Sequence, residues 1–81
     1  MARVATPIVL TAEERTHLDR IVRARTSPRQ LVQRAEIVLR AAAGVPTTAI
    51  AQALGLGRHT VERWRLRFAR ERLAGLRDRP H

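Results

Sequence analysis

Residues 47–68 read TTAIAQALGLGRHTVERWRLRF, and the spacing inside this stretch decides the fold. Two helices that cross closely at a tight turn need a small residue at the crossing, a glycine in the turn and apolar side chains on the facing surfaces. Ala51 is the small residue and Gly55 follows four positions later. Ile50, Leu54 and Leu56 supply the inner face before and at the turn, and Val61 and Trp64 supply it afterwards. All seven positions satisfy the requirement, so the stretch reads as a helix-turn-helix. A plain helical hairpin stopped by a glycine is the competing reading, and the charge on the second helix weighs against it. With Val61, Trp64 and Phe68 facing inward at about 100° per residue, His59, Glu62, Arg63, Leu66, Arg67 and Arg70 fall on or near the opposite face.

Outward from this core motif, helix start and stop signals recur. Thr11 followed by Glu14 is a capping box, and the helix it opens carries Leu18, Ile21 and Val22 on one stripe before fading near Arg25 and Thr26. Ser27-Pro28-Arg29-Gln30 reads as a second start, with Ser27 as N-cap, Pro28 in the first helical position and Gln30 closing the box. Leu31, Ala35, Val38, Leu39 and Ala42 then form a helical stripe, and Gly44 with Pro46 ends it, which predicts a helix over residues 28–43. A short third helix opens at Thr47 or Thr48 and stops at Gly55, where a left-handed backbone is cheap. The fourth opens near Arg58 and runs to about Leu73, before Gly75. No strand pattern competes. The organisation predicted is a mobile arm over residues 1–9, a bundle over 10–76 and the start of a basic linker or tail over 77–81.

The composition narrows the function. The 81 residues hold 16 basic and 7 acidic side chains, a formal charge of +9, and every basic residue is an arginine. Such an excess points to a polyanion as partner. The all-arginine set fits bidentate phosphate and base contacts, but codon bias in a GC-rich genome is the better explanation of the missing lysines, since it acts on every position. Residues 57–81 contribute +5 of the charge and the 56 residues before them +4, so the charge is densest on and after the second helix of the motif. Without cysteine, disulfides, thiolate zinc sites and thiol nucleophiles are excluded. His17, His59 and His81 are scattered, so no metal and no cofactor are expected. No stretch approaches the roughly 20 apolar residues of a membrane span and no signal peptide is evident, so a cytoplasmic location without membrane attachment is expected.

Candidate roles follow from position on the fourth helix. Arg58, His59 and Thr60 occupy its first turn, the part that usually reaches base edges, and Glu62 and Arg63 lie about a turn deeper. His59 and Arg63 are the strongest base readers of this set, since arginine can grip guanine O6 and N7 together. Glu62 could accept from cytosine N4 or simply pair within its helix. Arg65, Arg67, Arg70 and Arg72 suit phosphates, and Thr47 and Thr48 at a helix N-terminus suit a phosphate clamp. Trp64 reads as core. With one Trp and one Phe in the chain, stacking platforms for single strands are poorly supplied, and double-stranded DNA is the better target. Arg3 in the arm offers a minor-groove contact, against the plainer reading of a solvated terminus.

Several strings together resemble a known family: Arg34-Ala35-Glu36-Ile37-Val38-Leu39 followed by Ala41-Ala42-Ala43-Gly44, then Ile50-Ala51, Leu54-Gly55, Thr60-Val61, Arg63-Trp64 and Arg67-Phe68, and last Leu73, Gly75-Leu76 and Asp78-Arg79-Pro80. The chain is similar over roughly residues 10–80 to the N-terminal DNA-binding region of bacterial insertion-sequence transposases related to the mariner superfamily. The resemblance implies recognition of the terminal inverted repeats of a mobile element, and a nucleoid-associated bacterial protein. It also implies a following catalytic domain with an Asp-Asp-Glu triad and divalent metal. These 81 residues contain two aspartates, Asp19 and Asp78, and cannot supply the two-metal site themselves, so no enzymatic activity is expected of this stretch and the catalytic domain is missing from it. Gly57 departs from the usual serine or threonine cap. The fold expected is all-α, a four-helix homeodomain-like helix-turn-helix bundle. A stand-alone helix-turn-helix transcriptional regulator is the alternative function, and it implies a homodimer on a palindromic operator. A non-DNA protein that binds an acidic partner or a membrane surface through its arginine face is a third.

Overall fold

The computed structural model describes residues 7–77, and within them the chain forms four α-helices and a closing 3-10 turn with no strand. The arm residues before Pro7, Arg3 included, and residues 78–81 lie outside the described residues.

Helix α1, Ala12–Arg23, starts as its capping box requires: Thr11 Oγ1 accepts from the Glu14 N–H and the Glu14 carboxylate accepts from the Thr11 N–H, both at 3.0 Å. It ends before the expected Arg25 and Thr26 because Ala24 turns extended, at φ −73° and ψ 126°. Helix α2, Arg29–Ala42, corrects the second start signal. Pro28 sits at ψ 139° and is the N-cap itself, its carbonyl accepting from the Val32 N–H at 3.0 Å, and no side chain caps the helix. The start is therefore one residue later than expected. Ser27 falls outside the cap and Gln30 one position short of closing a box with it. At the far end, the Gly44 N–H donates to Ala41 and the Val45 N–H to Arg40, the crossed pair that glycine at φ +89° permits.

Helix α3, Thr47–Leu54, stops at Gly55 with φ +69°, the left-handed conformation expected there, and the Leu56 N–H reaches back to the Ala51 carbonyl at 2.9 Å. Helix α4, Arg58–Glu71, follows from an extended Gly57. It ends at Arg72, whose φ of +57° is uncommon for a residue with a side chain. The 3-10 turn Arg72–Leu76 then folds back onto the last turn of α4. That approach needs glycine at 75, where a Cβ would lie 2.9 Å from the Arg67 carbonyl oxygen. It delivers Leu76 into the core at 1% exposure.

The core gathers around α2, which packs against α1 on one side and against α3 and α4 on the other. Leu18, Ala35, Ile37, Val38, Ala41, Ile50, Ala51, Val61, Trp64, Phe68 and Leu76 are buried in one cluster. The α2 stripe read from the sequence was too narrow. Ile37 and Ala41 are buried while Leu31, Leu39 and Ala42 are only partly so, because a helix with neighbours on two sides needs a wider apolar face. At the end of the arm, Ile8 is 5% exposed and belongs to the core cluster, while Pro7 and Val9 on either side of it are exposed.

Candidate nucleic-acid interface

Helix α4 has two faces of opposite chemistry. Val61, Trp64 and Phe68 point into the bundle, and Arg58, His59, Glu62, Arg63, Leu66 and Arg70 are exposed. Thr60 is half-buried at the edge. The glycine turn sets α4 against α3, and the first turns of the two helices share a groove of about 610 Å³ lined by Thr47, Thr48, Arg58, Glu62, Arg65 and Ile8. Pro46 precedes α3 in extended conformation and no side chain caps that helix. Its first-turn N–H groups therefore have no partner within the helix, the arrangement that suits an anion. Thr48 is exposed beside them. Thr47 is not: it is 8% exposed and its buried hydroxyl has no hydrogen-bond partner, so only its backbone is placed for the clamp expected of it.

Two of the four arginines expected on phosphates are engaged within the fold itself. Arg65 is 6% exposed, and its Nη1 donates to the Val45 carbonyl at 3.2 Å, tying α4 to the turn before α3. Burial pulls its guanidinium below the ordinary arginine value, and the Glu62 carboxylate opposes the shift. The periodicity already held this answer. Arg65 follows Val61 by four and precedes Phe68 by three, and only its residue type suggested the surface.

Arg72 is engaged by Glu14 through two hydrogen bonds, Nε to Oε2 at 2.8 Å and Nη2 to Oε1 at 2.6 Å, and donates also to the Val9 carbonyl at 2.7 Å. Its guanidinium lies 4.7 Å from the Phe68 ring centre. One side chain thus joins the entry segment, α1 and the end of α4, and no sequence signal pairs residues 58 positions apart. The bond from Arg72 is the main reason that the Glu14 carboxyl falls from 4.5 to about 2, while the same bond raises Arg72. A carboxyl depressed on folding contributes stability that is complete above about pH 4.5 and lost as pH falls towards 2. Urea titrations should therefore show the wild type more stable than Glu14→Gln at pH 6, with the gap narrowing steadily between pH 4.5 and 2; a gap independent of pH would contradict the pairing.

Arg67 is partly committed. It lies 5.1 Å from the Trp64 ring centre, 3.9 Å from the Glu71 carboxylate and 3.4 Å from the Arg77 carbonyl oxygen. Arg34, which sequence reasoning passed over, stacks on Trp64 at 4.1 Å and donates to the Leu76 carbonyl at 3.0 Å. Trp64 itself is 9% exposed and belongs to the core, as its spacing indicates. Of the expected phosphate set, Arg70 and Thr48 are exposed and Arg67 is half-buried. No helix among the described residues is long and apolar enough to cross a membrane.

The sequence pattern of a protein family described as a homeodomain-like domain matches residues 28–77, which span α2 to the 3-10 turn. Helix α1 lies outside the match. No curated protein and no solved structure matches the chain.

Proposed function

Because the chain belongs to the homeodomain-like family, we propose that it binds double-stranded DNA sequence-specifically through α4, as the inverted-repeat-recognising region of a transposase. The observation that carries the DNA-binding reading is the outward stripe of α4, where Arg58, His59, Glu62 and Arg63 are exposed together on the second helix of the motif. A helix of this width enters the major groove, and its first turns meet base edges. Thr48 with the open first turn of α3, and Arg70 further along α4, hold the backbone on either side. The more specific transposase reading rests on the strings that run from Arg34 to Pro80. In that reading these 81 residues supply recognition, and DNA cleavage and joining belong to a catalytic domain outside them. Nothing further, neither metal nor cofactor, is needed for the binding step.

Selection of the 81-residue chain against a random duplex library tests this. A single asymmetric site is expected, with affinity falling with salt at a log–log slope near −0.9 per phosphate engaged. No enrichment at low salt would overturn DNA reading. A palindromic site bound by a sedimenting dimer would replace the transposase reading with that of a transcriptional regulator.

A further inference from the structure

Leu66 is 47% exposed and stands in the middle of the charged stripe of α4. Among the described residues it and Val9 are the large hydrophobic side chains that remain exposed, and Val9 belongs to the non-helical entry segment. A lone exposed leucine is ordinary on a protein surface. This one is placed otherwise. It follows Glu62 by four residues and Arg63 by three, so the three side chains are neighbours on one helical face. His59, one further turn back, and Arg70, one turn ahead, continue the same stripe, and both are exposed.

We propose that Leu66 is a specificity-determining residue that reads the C5-methyl group of a thymine in the major groove. The proposal rests on α4 being the helix that enters that groove. Given that placement, the chemistry of the groove floor limits what Leu66 can meet. Base edges there present hydrogen-bond donors and acceptors, and the thymine methyl is the apolar group among them. A leucine over a polar edge would strip water from it and return no hydrogen bond. Over a methyl it buries apolar surface on both sides. Geometry sets the register as well. Arg63 and Leu66 are separated by about 4.5 Å along the helix axis at 1.5 Å per residue, against about 3.4 Å per nucleotide step. The thymine therefore lies one or two steps from the guanine held by Arg63.

The test uses the duplex enriched from the random library and replaces each thymine in turn by deoxyuridine, which removes the methyl and leaves the hydrogen-bonding pattern intact. One replacement, one or two steps from the guanine, should weaken binding of the unaltered chain about fourfold, the equivalent of one buried methyl-sized group at about 0.8 kcal/mol. Leu66→Ala should bind the thymine and deoxyuridine duplexes equally while keeping its preference for the guanine. Because Leu66 is outside the core, the variant should keep its helical circular dichroism and its melting temperature. An unchanged thymine preference in Leu66→Ala, or specific binding with no methyl dependence at any position, would overturn the assignment and leave the DNA-reading function standing. A shift from dimer to monomer in Leu66→Ala, with no change on DNA, would assign the side chain to a contact between copies of this chain and overturn it too. Absence of any specific duplex binding would instead overturn the functional reading together with this inference.

Discussion

Arg63→Ala is expected to lower affinity for the enriched duplex by about one to two orders of magnitude and to leave affinity for random duplex nearly unchanged. The size follows from the chemistry of the contact, since a bidentate arginine–guanine pair discriminates by roughly 1–3 kcal/mol. The selectivity follows from position. Arg63 is exposed on α4 between His59 and Leu66, within the stripe that would meet base edges, and its removal leaves the inner face of the helix intact. Arg70→Ala is the control, from two turns further along the same helix. It is expected to weaken both duplexes by one factor and to flatten the salt slope by about 0.9, as the loss of a phosphate contact does. Fluorescence anisotropy on both duplexes at two salt concentrations gives all of these values. Equal loss on both duplexes from Arg63→Ala would move that residue to the backbone set and leave the base reading without its main donor.

The contrast matters because substitution of an arginine on α4 or at its end can abolish binding in two unrelated ways. Arg65 and Arg72 look like members of the same basic row in the sequence, yet one is buried against the Val45 carbonyl and the other is clamped to Glu14 and Val9. Loss of either would loosen the junction that sets α4 in place. A fall in DNA affinity there would report on the scaffold, not on a phosphate.

The sequence carried the helix-turn-helix to within a residue, because the motif depends on local facts: a small residue at 51, a left-handed glycine at 55, apolar side chains at helical spacing. It also carried the outward face of α4, since inward Val61, Trp64 and Phe68 fix where the other residues point. What it did not carry is non-local or runs against residue type. The Glu14–Arg72 pair closes a long stretch of chain, and nothing in either neighbourhood announces it. Arg65 sits at a core position in a helix that periodicity had already oriented, and its charge argued for the wrong face. Ile8 lines a groove together with residues of α2, α3 and α4, a surface that exists only once those helices have assembled. The start of α2 was misread for a smaller reason: proline can stand either at the N-cap or one residue inside, and ψ at Pro28 decides which.

Phe68→Ala should weaken specific DNA binding by destabilising the bundle that holds α4, while the charge-driven affinity for random duplex falls far less. Phe68 is 0% exposed and is the first of the fully buried side chains by volume. Loss of such a ring costs about 3–5 kcal/mol through lost transfer energy and the cavity left behind. A chain of 81 residues holds about 4–12 kcal/mol in total at 0.05–0.15 kcal/mol per residue, so this one substitution removes a large part of the stability. At about 4–8 °C per kcal/mol for domains of this size, the melting temperature falls by about 12–40 °C. The ring also carries the Arg72 guanidinium on its face, so its removal loosens the clamp to Glu14 as well as the core. Circular dichroism melts beside the anisotropy titrations separate this loss from that of Arg63→Ala, which keeps its helices. Phe68→Leu, which retains most of the volume, should cost markedly less and bind DNA once folded. A Phe68→Ala protein that melts near the wild type yet fails to bind would mean that α4 is held by something other than this core, and the orientation assigned to its outward stripe would have to be abandoned with it.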